Sequence, residues 1–210
     1  MRHTIAKMLF VLLALSGGSS ALAQLLENEI TPYMGYRTGG SFDATNVPGR
    51  YNVSDSDSYG LIVNFMSRNA MQWEVLYSKQ ETDALFDRIG TNDPEVGLDL
   101  ESLELGGVYE FNGDLFRPYV AGTVGATYAR TRSTETRSDT FLSGSFGLGV
   151  KYRPNDRIGA RLEVRLRGIV LSSNSSLFCS TGSGGSGCSI AIGGNVVGQV
   201  ETFAGLTFRF

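Results

Sequence analysis

The stretch that most constrains the fold is the last one, Val196 to Phe210, because its side chains alternate with a period of two to the final residue. One face carries Val196, Gly198, Val200, Thr202, Ala204, Leu206, Phe208 and Phe210, and the other carries Gln199, Glu201, Thr207 and Arg209. Successive side chains of a strand point to opposite faces, so the stretch predicts a strand with one apolar and one polar side. It also exceeds the roughly 9 to 11 residues that a tilted strand needs to cross a bilayer. A soluble sheet and a membrane-crossing strand both fit this stretch, and the rest of the chain discriminates between them.

The first segment is expected to be removed. Arg2 and Lys7 form a basic start, Met8 to Leu15 an apolar run, and Ala21-Leu22-Ala23 the small-residue pattern after which signal peptidase cuts, leaving a mature chain from Gln24. The apolar run is too short for a membrane anchor, which needs about 20 residues. No Cys follows the cut, which argues against a lipid-anchored lipoprotein. Losing these two positive charges moves the formal net charge from −3 to −5, an acidic balance that carries no nucleic-acid footprint. Past residue 23 no long apolar run remains, which excludes a helical membrane protein. A mean hydropathy of −0.05 looks soluble, but a membrane barrel averages the same because its two faces cancel. The 27 glycines and many Ser and Thr residues suit strands and turns in a single domain.

Cys179 and Cys188 are the only cysteines and flank a Ser/Thr/Gly-rich run. In an exported chain they read as one disulfide closing a surface loop. No His or further Cys is near enough in sequence to suggest a metal site.

Alternating segments recur along the mature chain. The first, about Ile30 to Gly40, sets Pro32, Met34 and Tyr36 against Thr31, Tyr33 and Arg37. The second, Tyr59 to Met66, and the third, from Gln72, follow, with Trp73, Val75 and Tyr77 opposing Glu74, Leu76 and Ser78. A longer connection, about Asp83 to Gly97, leads to the fourth, Ser102 to Phe111, which sets Leu103, Leu105, Tyr109 and Phe111 against Glu104 and Glu110. Asn112-Gly113 signals a tight hairpin into the fifth, Pro118 to Tyr128. The sixth is Phe141 to Tyr152. The seventh, Ile158 to Ile169, is the clearest, with Ala160, Leu162, Val164 and Leu166 on one face and Arg161, Glu163, Arg165 and Arg167 on the other. The eighth is the terminal stretch.

Eight strands with connections that alternate long and short predict an all-β, eight-stranded antiparallel up-and-down barrel, with short turns on the periplasmic side and long loops outside if it spans a membrane. A soluble eight-stranded barrel such as a lipocalin is the competing fold. Aromatic residues at both strand ends oppose it, with Phe65, Trp73, Tyr109, Phe111, Tyr152, Phe208 and Phe210 toward one end and Tyr36, Tyr59, Tyr77 and Tyr128 toward the other. The interior would receive Glu74, Glu104, Glu110, Glu163 and Glu201 against Arg37, Lys151, Arg161, Arg165, Arg167 and Arg209, a near balance suited to a filled lumen of paired charges.

The terminal Phe210, with Phe208 and Leu206 at alternate positions before it, resembles the C-terminal signal read by the outer-membrane assembly machinery. With the YMGYR of the first strand, the RLEVR of the seventh and the closing GLTFRF, the mature chain resembles the small OmpA-like transmembrane barrels. The resemblance implies a monomeric, multi-pass outer-membrane barrel exported through the Sec pathway, and it indicates a superfamily rather than an activity. The chain stops at Phe210 with no peptidoglycan-binding domain after the barrel, so a cell-wall tether is not implied.

Lipid-modifying and proteolytic barrels usually depend on a His as general base, and His3 leaves with the leader. Gly147 to Lys151 lacks the spacing of a phosphate loop, and the Asn-x-Ser sequences at Asn52 and Asn174 are chance matches. No catalytic residue, metal or cofactor is expected. An interior of eight strands is filled by its own side chains, which favours a structural or surface-interaction barrel over a narrow conduit for ions or a small hydrophobic molecule. Lys79, Arg130 and Arg132 fall near the outer rim, where lipopolysaccharide phosphates would meet them. The first two long loops carry Asp43, Asp55, Asp57, Asp83, Asp87, Asp93 and Glu95 against Arg50 and Arg88, so divalent cations could bridge to the same lipid.

Overall fold

Every long alternating segment forms a strand in the computed structural model, which describes residues 28–43, 50–66, 71–87, 96–132, 138–170, 179–182, 185–188 and 196–210. In chain order the strands are β1 (Glu29–Thr38), β2 (Ser41–Asp43), β3 (Arg50–Val53), β4 (Ser56–Met66), β5 (Met71–Asp87), β6 (Val96–Glu110), β7 (Phe116–Thr131), β8 (Ser138–Tyr152), β9 (Ile158–Val170), β10 (Cys179–Gly182), β11 (Gly185–Cys188) and β12 (Val196–Arg209). Eight of them, β1, β4 to β9 and β12, pair antiparallel with their neighbours. The circle closes where β12 meets β1, from Glu29 opposite Arg209 to Thr38 opposite Val200. The fold is therefore an all-β, closed, eight-stranded antiparallel barrel, with no helix among the described residues. Closure leaves none of the eight with an unpaired edge, the condition for strands to cross a medium that offers no hydrogen bonds.

The strands run further than apolar alternation indicates. The connection expected from Asp83 to Gly97 shrinks, because β5 continues to Asp87 and pairs Asp83 with Gly97 and Ala84 with Val96. Likewise β4 starts at Ser56, β7 reaches Thr131 and β8 starts at Ser138. Backbone groups of polar residues pair as readily as those of apolar ones, so the loss of apolar alternation marks a change of surroundings rather than the end of the ladder. The first loop also contains β2 and β3, which extend the sheet above β5.

Asn112-Gly113 lies in the expected hairpin between β6 and β7, but not as the centre of a two-residue loop. Residues 111–115 separate β6 from β7, with the Phe111 amide donating to the Pro118 carbonyl at 2.9 Å and Arg117 Nε to the Gly113 carbonyl at 2.9 Å. A type I′ turn needs positive φ at both central residues, and among the described glycines only Gly39 (77°) and Gly40 (117°) have it. The turn at 67–70 and the expected leader at 1–23 lie outside the described residues.

Outward and inward faces separate as the alternation requires. On β7 the outward residues between Phe116 and Tyr128 are Pro118, Val120, Gly122, Val124 and Ala126, and the next is Arg130. Twelve residues at about 3.4 Å each, tilted about 40°, give an apolar band about 30 Å tall. Phe65, Trp73, Tyr109, Phe111, Tyr152, Phe208 and Phe210 are exposed near the end that holds the short turns and the chain's C-terminus, and Tyr36, Tyr59, Tyr77 and Tyr128 are exposed toward the other.

Candidate functional site

The interior is a ladder of ion pairs. At the turn end Lys151 Nζ contacts Glu29 and Glu110, each at 2.5 Å, and also donates to Gln72 at 2.9 Å. Arg153 meets the same two carboxylates at 2.7 and 2.8 Å. In the middle, Arg161 contacts Glu74 at 2.8 Å and Glu163 at 2.6 Å, and Arg165 contacts the same pair at 2.7 and 2.5 Å. The Tyr119 hydroxyl donates to Glu163 at 2.6 Å, and Asn64 donates to Glu74 at 3.2 Å. Toward the loop end Arg167 bridges Glu104 and Glu201, both at 2.9 Å. Glu201 also meets Arg37 at 3.0 Å and accepts from Ser58 at 2.6 Å.

Each strand supplies its share through parity alone. On β9 every second residue from Arg161 to Arg167 points inward, which lays three guanidiniums and one carboxylate along the lumen. Glycine on β8 leaves them room, since a Cβ at Gly147 would lie 2.0 Å from Glu163 Oε1 and one at Gly149 2.2 Å from the Tyr119 hydroxyl. Beside the charges lies an apolar cluster of Tyr33, Ile62, Leu76 and Phe203, with the Tyr33 and Phe203 ring centroids 4.3 Å apart. All these side chains are buried.

The network thus brings together Arg37, Glu74, Glu104, Glu110, Lys151, Arg161, Glu163, Arg165, Arg167 and Glu201. Arg209 does not join it. It lies at the rim, half-buried, and donates to the carbonyl of Asn155 in the β8–β9 turn. Glu29 and Arg153, which the sequence reading missed, take the vacant places, so that six carboxylates face six cations. Both continue an inward phase already identified, Glu29 two residues before Thr31 and Arg153 two after Lys151, and extending the alternation past the apolar positions would have found them.

At the loop end the outward faces of β5, β6 and β7 turn from apolar to charged just above Tyr77 and Tyr128. Lys79 contacts Glu81 at 3.0 Å, Arg130 contacts Asp99 at 2.9 Å, and Arg132 lies 3.2 Å from Asp99, 3.6 Å from Asp83 and 3.7 Å from Glu81. The three cations are gathered on one patch, each beside carboxylates. Leu206, Phe208 and Phe210 are exposed on the outward face of β12. Cys179 and Cys188 are backbone register partners in the β10–β11 ribbon. Among the described residues no group of His, Cys, Asp and Glu is arranged to hold a metal.

Comparison with known proteins gives the same architecture. Neisserial surface protein A matches with a TM-score of 0.61 at 13% identity, over 87% of this chain and 97% of that one. The N-terminal barrel of Pseudomonas aeruginosa OprF matches at 0.49 and 16% identity, over 87% and 97%, and Yersinia pestis Ail at 0.45 and 16%, over 88% and 99%. At these identities the likeness concerns the fold, and the first match carries it. No curated protein sequence matches the chain. The family model described as "Outer membrane protein beta-barrel domain" matches residues 9–184. The match covers most of the chain and agrees with the closed barrel and its apolar belt, and the chain belongs to that family as an outer-membrane β-barrel protein.

Proposed function

We propose that this barrel is a non-enzymatic, sealed outer-membrane protein that acts through its outer surface, with lipopolysaccharide as one contact. The ion-pair ladder supports the sealed reading: Glu74 and Glu163 together hold both Arg161 and Arg165 across the lumen, and all four side chains are fully buried. Passage of an ion would require several charge-assisted hydrogen bonds to open together. Planar-bilayer recordings of the purified parent are expected to be silent, and Glu163→Ala to show intermittent openings. Steady conductance of porin size in the parent would establish a conduit instead.

The outer patch supports the lipopolysaccharide reading. Lys79, Arg130 and Arg132 sit just beyond the apolar band, where lipid phosphates lie, and the exposed pairs of Lys79 with Glu81 and of Arg132 with Glu81 and Asp83 are worth about 0 to 1 kcal/mol, so a phosphate can displace those carboxylates at small cost, whereas the buried Asp99 keeps its cation. The displaced carboxylates would then be free to share a divalent cation with the lipid. Phosphate contacts weaken as salt screens them. Binding of lipopolysaccharide across an ionic-strength series is therefore expected to be weaker, and less salt-dependent, when Lys79, Arg130 and Arg132 are all changed to Gln. Identical curves for the two proteins would reduce the three residues to ordinary rim charges.

A further inference from the structure

The lowest ion pairs of the lumen border a cavity. At the end that holds the short turns, β5, β6, the β6–β7 turn and the start of β7 line about 370 Å³, within the roughly 300 to 1,000 Å³ of small-ligand pockets. In an outer-membrane barrel this end faces the periplasm. Gln72 and Glu110 reach the cavity from the inward face, Met71 and Phe111 from the belt, and Asp114 and Arg117 from the turn and β7.

Its floor is a donor beside an acceptor. Gln72 stands opposite Val108, two residues before Glu110, so the two inward side chains are diagonal neighbours across β5 and β6. Both are more than nine-tenths buried. Lys151 donates to Gln72 Oε1, and because an ammonium only donates, the Gln72 amide is fixed with Nε2 as its remaining polar atom. That nitrogen has no acceptor among the described residues. Glu110 Oε1 takes Lys151 and Arg153 together, which leaves Oε2 as an acceptor with no donor among them.

The walls carry one charge of each sign. Arg117 Nε donates to the Gly113 carbonyl at 2.9 Å, which holds the guanidinium against the turn with its two terminal nitrogens unbonded among the described residues. Asp114 makes no hydrogen bond or ion pair among them. Both residues line one cavity, yet they do not meet. In the lumen just behind, by contrast, Lys151 and Arg153 are each held by two carboxylates.

A donor beside an acceptor matches the two polar edges of a peptide bond, and a cation held apart from an anion matches the two ends of a free peptide. From this arrangement we propose that the cavity binds a short, unblocked peptide. Gln72 Nε2 donates to a peptide carbonyl, and Glu110 Oε2 accepts the peptide N–H. Arg117 takes the terminal carboxylate and Asp114 the terminal ammonium, each through charge-assisted hydrogen bonds. Met71 and Phe111 offer apolar surface to the peptide's side chains. The ion pairs of Lys151 and Arg153 with Glu29 and Glu110 close the way behind, so the peptide is held at the mouth. The site lies at the opposite end from the outer patch and is independent of any lipopolysaccharide contact there.

The test titrates dialanine into the purified barrel in phospholipid nanodiscs and follows the backbone amides by NMR. Shifts that saturate and are confined to Gln72, Glu110 and residues 111–117 are expected. N-acetyl-dialanine, which lacks the ammonium, and dialanine amide, which lacks the carboxylate, should each bind about ten-fold more weakly, the loss of one charge-assisted hydrogen bond. Asp114→Asn should weaken dialanine to the same extent and leave N-acetyl-dialanine unchanged. Arg117→Gln should weaken dialanine likewise and leave dialanine amide unchanged. The amide spectrum reports whether each variant is folded, and the three peptides on the parent decide the question without the variants. No saturable shift, shifts at the outer rim instead, or variants that weaken all three peptides alike would each overturn the proposal. Equal binding of the blocked peptides would overturn it too, by naming an internal protein segment as the occupant.

Discussion

Glu163→Ala is expected to destabilise the folded barrel by about 3 to 5 kcal/mol, the cost of stranding a charge whose partner has been removed from a buried pair. Glu163 accepts from Arg161, Arg165 and Tyr119 at once. Without it Glu74 must hold both guanidiniums alone, the lumen carries one excess positive charge, and the Tyr119 hydroxyl loses its acceptor. No neighbour on β8 can substitute, because the residue opposite Glu163 is Gly149 and the next inward position is Gly147, whose missing side chain leaves room for the Glu163 carboxylate. Glu163→Gln keeps the volume and an acceptor and should lose less. Removing Arg165 together with Glu163 restores the charge balance, so the double variant should fall short of the sum of the two single losses. Urea unfolding in phospholipid vesicles, followed through the single tryptophan, Trp73, measures all of these. A loss of under 1 kcal/mol for Glu163→Ala would mean that water reaches the central pairs and the lumen is not sealed.

Parity made the barrel legible. Because a strand turns alternate residues to opposite sides, RLEVR on β9 sorted its charges from its aliphatic residues before any neighbour was known, and the same rule assigned the apolar faces of β4, β7 and β12. Strand ends were less legible, since Asp83 and Gly97 pair by backbone alone and no side-chain pattern announces that. Glu29 and Arg153 were missed for this reason: they sit beyond the apolar alternation yet inside the ladder of charges. The partners within the lumen were hidden more deeply. Sequence places Glu74 and Arg161 on inward faces, but whether they touch depends on the stagger between strands, through which residues 87 apart come within 2.8 Å.

Leu162→Arg is expected to cost about 2 to 4 kcal/mol, the penalty for a cation on the lipid face near the middle of an outer-membrane barrel. The position is informative because it lies between Arg161 and Glu163, both fully buried in the lumen, while Leu162 itself is 56% exposed. One residue along the chain therefore separates a site where arginine is held by two carboxylates from a site where it faces hydrocarbon. Leu162 stands opposite Val150 and Ala204, so neither neighbouring strand offers a carboxylate on that face. Tyr128→Arg, next to Arg130 at the outer edge of the apolar band, should cost only about 0 to 1 kcal/mol, because the lipid-face penalty fades toward the interface. Depth dependence is thus the discriminating measurement, made by vesicle unfolding of both variants. On a soluble barrel an exposed leucine replaced by arginine changes stability by about 0.5 kcal/mol or less, and equal small effects at 162 and 128 would remove the lipid from the outward face.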